Sequence, residues 1–289
     1  GADGAAAARV IANRLWGSYQ VTVTAQGVLT PVVFSLTNGC PTGLAYVNRS
    51  ATGSNRGDSW SNAYTDLHEA LRLAASCRSF REVWVAQGVY TPGITANSVF
   101  TLSGDLSVYG GFRGTETARS QRNWMANATV LSGDIDNNDG KDARGVVATA
   151  ADIEGVNAYH VVWVDGVTKP VTRTARLDGF FVTAGKANGG ANPHIAGGGL
   201  YCNGQGRGKS CNPTIANVVF SGNAAAGNGG AMYNNGRING ASSPVLNNVV
   251  FGGNAAMGNG GAMFNYGLLG VSSPALTDVT FVTNTATGN

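Results

Sequence analysis

Acidic and amide side chains are concentrated in one short segment, and they are the residues best suited to chemistry with a metal ion. The segment reads LSGDIDNNDGKD, in which carboxylates and amides stand at Asp134, Asp136, Asn138 and Asp139. Several oxygen ligands on a glycine-containing loop are what a hard cation such as Ca²⁺ requires. The glycine is Gly140, one place later than in an EF-hand loop, and no glutamate closes the set. The segment therefore predicts either a calcium site or a simple Asp/Asn turn, and no cofactor is otherwise required.

The acids near predicted strands do not form an obvious catalytic pair. A glycoside hydrolase needs two carboxyl groups about 5 to 9.5 Å apart, which on stacked strands means acids on neighbouring repeats of one wall. The acids in question share no repeat position, and they are Asp152, Glu154, Asp165, Asp178 and Asp278. His160 and His194 also lack a nearby acid and nucleophile in the sequence. The residues therefore predict a non-catalytic protein.

The elements that position these side chains are clearest in the last third of the chain, where one unit is repeated three times. It reads PTIANVVF at 213–220, PVLNNVVF at 244–251 and PALTDVTF at 274–281. Self-similarity at a nearly fixed period is typical of a solenoid, in which each unit buries its apolar face against its neighbours.

Within each copy, apolar residues recur at three fixed positions. The second and third positions are two residues apart, which places both side chains on one side of a strand. A helical repeat would instead need a period of 3.6. The three predicted columns are Ile215, Leu246 and Leu276, then Val218, Val249 and Val279, then Phe220, Phe251 and Phe281.

Asparagine and glycine mark the expected bends between strands. Each copy continues into F-x-x-N, which places Asn223, Asn254 and Asn284 in a column whose amides are expected to bond from coil to coil. Two copies then reach GGAM, and a variant GGGL stands at 197–200. Paired glycines suit a turn that requires positive φ or close backbone approach. The GGAM positions are Gly229, Gly230 and Met232, and Gly260, Gly261 and Met263.

The alternation of F-x-x-N with G-G-A-aliphatic resembles the repeat of polymorphic outer membrane proteins over about residues 175 to 289. Those proteins are surface-exposed, right-handed parallel β-helices of the pectate-lyase-like class. The resemblance implies adhesion or surface assembly rather than catalysis. In the earliest copy, GGGL at 197–200, Gly199 stands where the G-G-A motif has alanine. The paired-Asp and Gly-His-Gly motifs of pectinase-like hydrolases are absent from the sequence, and so is the Arg-rich signature of pectate lyases.

The composition and the net charge of the chain argue against some classes of binding partner. Charged residues make up 12% of the 289 residues and glycine numbers 43, roughly half and double the usual shares. A net charge of +3, without aromatic residues among the Lys and Arg residues, argues against nucleic acid. No apolar run approaches about 18 residues, so no membrane span is expected. No signal peptide is recognised at Gly1, so an exported protein would be a processed form.

The four cysteines form an even set without metal-ligand spacing. Cys202 and Cys211 bracket the glycine-rich segment NGQGRGKS, and a disulfide between them would close that loop. Cys40 and Cys77 could join the N-terminal segment to the following helix. Disulfides would indicate an oxidising compartment, and buried free thiols are the alternative.

Residues 1–38 differ from the rest and predict strands at 5–12, 19–25 and 28–36. The run GSYQVTVTAQGVLTPVVFSLTN resembles the C-terminal strands of bacterial immunoglobulin-like domains of large adhesins. Such a domain needs about seven strands, so the exposed edges could be completed by strands of another molecule. A segment cut from a longer protein and a flap folded on its own solenoid are the alternatives. We predict pairing between subunits through Tyr19, Val21, Val23, Val32 and Phe34.

Residues 39–82 predict a polar linker and then a helix with Thr65 as its N-cap and Leu67 and Leu71 on its apolar face. The order Y-V-x-x-x-A-T-G, S-W-x-x-A-Y, helix, V-W-V-A-x-G-x-Y is similar to the N-terminal cap of many secreted β-helix proteins. A capping helix would cover the open end of a solenoid. Residues 83–289 are the predicted solenoid, with the clearest repeats at 213–289.

Together these features predict an all-β fold: a right-handed parallel β-helix with a short N-terminal capping helix and an N-terminal immunoglobulin-like strand segment. The predicted function is a non-catalytic extracellular or cell-surface protein that self-assembles into a filament or matrix, or acts as an adhesin. Its partner would be another copy of itself, or a surface or carbohydrate ligand. The alternative is a carbohydrate-active enzyme or carbohydrate-binding module, marked by acids and aromatics in one groove. Four tryptophans are too scattered to decide between these: Trp60, Trp84, Trp124 and Trp163.

Overall fold

The structure is a computed structural model that describes residues 17–27, 29–38, 43–77 and 80–288. It divides into two compact units, Gly1–Thr42 and Gly43–Asn289. The strand predicted at 5–12 lies outside the described residues.

Two antiparallel strands form the described part of the first unit, β1 (Gly17–Val23) and β2 (Val32–Asn38). Side chains alternate between the two faces of a strand. The register therefore places six apolar side chains on one face, as the cross-strand pairs Val23 and Val32, Val21 and Phe34, and Tyr19 and Leu36. A two-stranded sheet is at best marginally stable on its own, so this sheet depends on what covers its apolar face.

The second unit is built from short strands and a ten-residue helix. In chain order its elements are β3 (Gly43–Val47), α1 (Leu67–Ser76), β4 (Phe80–Ala86), β5 (Gly88–Tyr90), β6 (Phe100–Leu102), β7 (Ser107–Phe112), β8 (Thr129–Ser132), β9 (Val162–Asp165), β10 (Arg176–Thr183), β11 (Lys186–Ala187), β12 (Leu200–Asn203), β13 (Thr214–Ser221), β14 (Ala224–Ala225), β15 (Met232–Asn235), β16 (Val245–Gly252), β17 (Ala255–Ala256), β18 (Met263–Tyr266), β19 (Ala275–Val282) and β20 (Thr285–Ala286). Short 3₁₀ turns lie at Arg119–Gln121 and Ala150–Asp152.

These strands stack in parallel into three sheets. Sheet 1 has the order β19-β16-β13-β10-β7-β4-β3, with β5 and β8 beside it. Sheet 2 has the order β18-β15-β12-β9-β6, and sheet 3 has the order β11-β14-β17-β20. In the repeats the chain passes from sheet 1 to sheet 3 to sheet 2 and then begins the next coil. The protein is therefore mostly β with stacked parallel strands, an architecture compatible with a parallel β-helix.

The repeated strands of sheet 1 are in the register that the sequence predicts. The first predicted column is formed by register partners on adjacent strands, Ile215, Leu246 and Leu276. The valines and the phenylalanines of the other two columns are paired in the same way. Strand β10 extends the three columns by one coil through Leu177, Phe180 and Val182. The Phe rings stack nearly parallel, with centroids 5.0 and 5.1 Å apart. Burial of side chains of this size contributes about 1.5–3 kcal/mol each, so these columns are a main source of stability.

Helix α1 packs against the core beside sheets 1 and 2. Its N-cap is Asp66, whose Oδ1 accepts the backbone N–H of His68 at 2.8 Å. The predicted cap, Thr65, instead donates its backbone N–H to Asn55 Oδ1 at 2.8 Å. Leu67 is buried and, together with other apolar core residues, lines a small internal cavity of about 20 Å³. In the described ranges, no helix is long and apolar enough to cross a lipid bilayer.

Candidate functional site

The β1–β2 sheet of the first unit exposes an apolar face. Val23, Val32 and Phe34 are 46%, 55% and 51% exposed, and Tyr19 and Val21 are partly buried. The structure thus brings together the five residues predicted to mediate assembly. Leu36, 37% exposed, is a sixth member of the face that the sequence prediction omitted. We call these six residues the N-terminal apolar face.

The opposite face of this sheet is mostly polar. It carries Ser18, Gln20, Thr22, Ser35 and Thr37, and the hydroxyl groups of Ser18 and Thr37 lie 3.0 Å apart in a hydrogen bond. Apolar and polar residues therefore alternate along β1 and along most of β2, in which Val33 is an apolar residue on the mostly polar face. This is the pattern of a sheet with one covered face and one solvated face.

The core columns are partly exposed in the coil that carries β19, the last coil among the described residues. Leu276 and Phe281 are 45% and 48% exposed, whereas Leu246 and Phe251 in the preceding coil are 0% exposed. Strand β19 pairs with β16 on one side, and within the described ranges no strand pairs with its other side. Each coil thus covers the apolar columns of the one before it. Further exposed apolar residues of this coil are Leu268, Leu269, Val271 and Val282.

The asparagine column stabilises the bend after each long strand. Asn254 Oδ1 accepts the backbone N–H and the Nδ2 of Asn223, both at 3.0 Å. Asn254 Nδ2 donates to Phe220 O at 3.0 Å and to Asn284 Oδ1 at 2.8 Å. One coil earlier, Gly185 takes the asparagine position and donates its N–H to Asn223 Oδ1 at 3.0 Å. The amides therefore connect successive coils in a continuous hydrogen-bonded column.

Glycine at the GGAM turns meets two requirements. Gly229 and Gly260 have φ values of +68° and +67°, a region that favours glycine. A Cβ on Gly230 would lie 2.2 Å from Gly261 O, so the second glycine is needed for close contact between coils. The methionine after these glycines, Met232 or Met263, joins Leu200 in one register position of sheet 2.

A second column of Asn and Asp residues lies in the middle of the long strands, and the sequence prediction did not identify it. Asn217, Asn248 and Asp278 have φ values of +51°, +53° and +53°. Asn and Asp tolerate this left-handed region better than other non-glycine residues. Asn248 Nδ2 donates to Asn217 Oδ1 at 2.7 Å, and Asn217 Nδ2 donates to Asp178 Oδ1 at 2.8 Å. The sequence does contain a signal for this second column, because an Asn or Asp residue directly precedes the valine of the Val column in each copy of the repeat.

Asp134, in the Asp-rich loop, is neutralised by a lysine of the same loop. Its side chain is buried, and the ammonium of Lys141 bonds to its Oδ2. The same ammonium lies 2.7 Å from Asn137 Oδ1, and Asn138 donates its backbone N–H to Asp134 Oδ1 at 3.1 Å. An ammonium group therefore lies where a cation would have to bind if Asp134 were a ligand.

The other carboxylates of the loop accept hydrogen bonds from neighbouring segments. Asp136 Oδ2 accepts the backbone N–H of Val156 and the Nδ2 of Asn138. Asp139 accepts the Nδ2 of Asn157 at 2.7 Å, and desolvation raises the pKa of Asp139. In the part of the chain described, no three Asp, Glu, His or Cys residues are grouped to hold one metal ion. Calcium binding stays a prediction, and a titration without binding heat or a shift in Tm would contradict it.

Three of the acids considered for catalysis have partners within the fold. Asp178 pairs with Arg122 at 2.5 Å and with Arg176 at 3.0 Å. Asp165 accepts backbone N–H groups of the turn that follows it. Asp152 accepts hydrogen bonds from the hydroxyl and the backbone N–H of Thr149, the residue before the second 3₁₀ turn. These contacts give the three carboxylates a role in holding the coils and turns together.

An aromatic column on sheet 2 was also missed by the sequence prediction. Trp163, Tyr201, Tyr233 and Phe264 occupy one register position. Successive ring centroids are 4.7, 5.1 and 5.5 Å apart, with nearly parallel planes. The faces of the inner rings are therefore covered by neighbouring rings. The other tryptophans named above lie in separate clusters, Trp60 and Trp84 with Phe112, and Trp124 with Phe181.

Two histidines lie beside the aromatic column. The His160 ring is 5.3 Å from Tyr201 and 5.7 Å from His194 between centroids, and its Nδ1 bonds to Gly197 O at 2.9 Å. His160 Nε2 and His194 Nδ1 are buried atoms without a hydrogen-bond partner within the described residues. Desolvation lowers the pKa of His160 to about 4 because burial disfavours the charged imidazolium.

Acidification is expected to destabilise the protein through His160 by up to about 3 kcal/mol. The pKa of His160 is about 4 in the folded state, below the reference value of 6.5. As the pH falls, the unfolded state therefore takes up the proton first. Neutral His160 makes its full contribution to the free energy of unfolding above pH 6.5. This contribution is lost as the pH falls from 6.5 to about 4. Urea unfolding across this range, with His160→Gln as the comparison, measures the effect. Equal slopes of stability against pH for both proteins would contradict it.

A disulfide joins Cys202 and Cys211, whose Cα atoms are 5.7 Å apart. It closes the glycine-rich loop as the sequence predicts. The bond is consistent with an oxidising, non-cytoplasmic compartment. The predicted pairing of Cys77 with Cys40 lies outside the described residues, since Cys40 is not among them.

Two of the grooves on the described surface of the second unit differ in their chemistry. The first, of about 600 Å³, follows sheet 3 and is lined mainly by small residues such as Ala224 and Ala255. The second, of about 440 Å³, lies beside the Asp-rich loop and is lined in part by Asp142, Arg144 and Phe181. The guanidinium of Arg144 lies 5.0 Å from the Phe181 ring centroid and 2.7 Å from Asp142 Oδ2. The first groove is apolar, whereas the second is charged.

The geometry defines a protein of stacked parallel strands that carries an amphipathic two-stranded sheet in its N-terminal unit. Comparisons of the chain with protein-family models, curated proteins and solved structures found no match.

Proposed function

We propose that the protein is a non-catalytic structural subunit that self-assembles into a filament or matrix through its N-terminal strands. The N-terminal apolar face is the observation that carries this proposal. A two-stranded sheet cannot bury that face itself, and burial of apolar surface contributes about 25 cal/mol per Å². Association with another copy would remove the face from water and stabilise the sheet at the same time.

We also propose a more specific fold class and a cellular location for this subunit. The second unit is a right-handed β-helix of the pectate-lyase-like class, and α1 caps one end of it. The β1–β2 sheet is the last part of an immunoglobulin-like domain. The protein acts outside the cell or on its surface, where its disulfide is stable, and adhesion to a surface or carbohydrate ligand is a closely related role. Burial of Leu67 in the core supports the capping role of α1.

Substitution of adjacent residues on opposite faces of β1 tests self-assembly. Val21→Asp places a charge on the N-terminal apolar face and is expected to abolish assembly. Thr22→Asp places the same charge on the polar face and is the matched control, which should assemble like the wild type. Sedimentation velocity and electron microscopy of unreduced protein measure both. A wild type that stays monomeric, or equal assembly of the two variants, would contradict the proposal.

Carbohydrate binding or cleavage in the groove beside the Asp-rich loop is the second candidate function. The supporting observation is that this groove combines two carboxylates, Asp142 and Asp152, with Lys141, Arg144 and Phe181. Two carboxyl groups in one groove are what hydrolysis of a glycosidic bond requires. Incubation with neutral and acidic polysaccharides, comparing the wild type with Asp152→Asn, tests it. Binding or product formation that the variant loses would favour this candidate, and no binding by either protein would reject it.

A further inference from the structure

Two of the three histidines of the chain lie together beside the aromatic column of sheet 2. His160 lies two residues before β9, and His194 lies in the loop between β11 and β12. Their ring centroids are 5.7 Å apart, and the ring planes are inclined by 31°. The rings of Trp163 and Tyr201 lie 5.5 and 5.3 Å from the His160 ring. Segments that are distant in sequence thus bring two imidazoles into one aromatic environment.

The His160 ring presents a buried nitrogen with a free lone pair. The residue is only 4% exposed, and because burial lowers the pKa of His160, the ring is neutral at pH 7. Its Nδ1 lies 2.9 Å from Gly197 O. A carbonyl oxygen can only accept a hydrogen bond, so Nδ1 carries the proton and Nε2 carries the lone pair. Within the described residues, Nε2 has no hydrogen-bond partner.

The His194 ring presents a second buried nitrogen of the same kind. Its Nδ1 also has no hydrogen-bond partner within the described residues. The ring packs against Tyr159 with centroids 4.9 Å apart, and the backbone carbonyl of His194 accepts the N–H of Gly189 at 2.8 Å. His194 as a whole is only partly buried. It therefore offers a small ligand a path from solvent to the buried nitrogens.

The distance between the two rings is that of two imidazoles bound to one metal ion. Imidazole nitrogens bind Zn²⁺ at about 2.0–2.1 Å, so two imidazoles on one tetrahedral ion have ring centroids roughly 5–6 Å apart. The observed 5.7 Å lies in this range. A ligating histidine usually donates its other N–H to a carbonyl or carboxylate oxygen, which fixes the tautomer and raises the basicity of the ligand. The bond from His160 Nδ1 to Gly197 O is of this kind.

We propose that His160 Nε2 and His194 Nδ1 bind one divalent transition-metal ion, of the zinc or copper type. Imidazole nitrogen suits these ions, whereas Ca²⁺ takes oxygen ligands, so this site differs from the calcium site predicted in the Asp-rich loop. In the described ranges no third Asp, Glu, His or Cys residue completes the group, so water would fill the other positions. The inference goes beyond the proposed structural function and does not depend on self-assembly.

Equilibrium dialysis of untagged protein against Zn²⁺ in excess Ca²⁺ tests the site, and the wild type should bind one Zn²⁺ per chain. His160→Gln and His194→Gln should each weaken binding by at least about 100-fold, because loss of an outer-shell partner alone costs about 10–100-fold. His68→Gln is the matched control. It removes the third histidine, whose ring nitrogens face Val99 O and Asp66 Oδ1, and should bind like the wild type. No binding by the wild type, or equal binding by all three variants, would overturn the inference.

Hydrogen exchange of the wild-type protein provides a second measurement that does not depend on any variant folding. Opening that separates the two histidines must release the ion. Free Zn²⁺ at 100 times its Kd should therefore slow exchange in the 188–197 loop by up to about 100-fold. Exchange in helix α1, which carries His68, should not change. Unchanged exchange in the loop would overturn the inference and leave the proposed function standing, since neither measurement depends on assembly.

Discussion

Asn254→Leu is expected to lower the free energy of unfolding by about 4 kcal/mol, because it removes a buried amide that bonds to both neighbouring coils. Asn254 is 0% exposed and occupies the middle of the asparagine column. Leucine fills nearly the same volume but leaves the backbone N–H of Asn223 and the Oδ1 of Asn284 without this partner. Each buried polar group left unsatisfied costs about 1–3 kcal/mol. The loss therefore exceeds that of an ordinary surface substitution several-fold.

Asn248→Gly is the matched control for this substitution. Asn248 also bonds to the asparagine of a neighbouring coil, but its hydrogen bond is exposed and its φ is +53°. Glycine accepts that backbone conformation, so the change should stay within about 0.5 kcal/mol. Urea unfolding followed by circular dichroism measures both variants. A loss below 1 kcal/mol for Asn254→Leu would show that the column does not couple the coils.

The repeated part of the fold was predictable because the same physical requirement recurs at the same place in each coil. The 213–289 repeats give the strand register directly, and β10 could be aligned to them through Phe180 and Gly185 although its other residues differ. The sequence identified five of the six residues of the N-terminal apolar face and missed Leu36. These features depend on spacing within one segment, which the sequence contains.

Features that depend on contacts between distant segments were not predictable in this way. Asp178 is paired with Arg122, 56 residues earlier in the chain, so its structural role could not be read from its surroundings in sequence. Trp163 seemed isolated because the loops between β9 and β12 break the repeat, and only the register shows that it stacks on Tyr201. The N-cap at Asp66 was missed because Thr65 and Asp66 are both residue types that cap helices, and the sequence does not show which of them directly precedes the first helical residue. Asn55 already accepts the backbone N–H of Thr65, a contact between the linker and the start of the helix.

Phe251→Ala is expected to lower the free energy of unfolding by about 3–5 kcal/mol, the usual cost of removing a buried phenyl ring together with the cavity left behind. The Phe251 side chain is 0% exposed, and its ring stacks on Phe220 and on Phe281. Phe281→Ala is the matched comparison, since the same ring removed from a site that is 48% exposed should cost about half as much. The coils contact only their neighbours, so the loss should appear first as local opening. Hydrogen exchange of peptides from 213–289 should therefore accelerate before exchange near β4 and β7 does. Equal losses for the two variants would contradict the link between the burial of each ring and its contribution to stability.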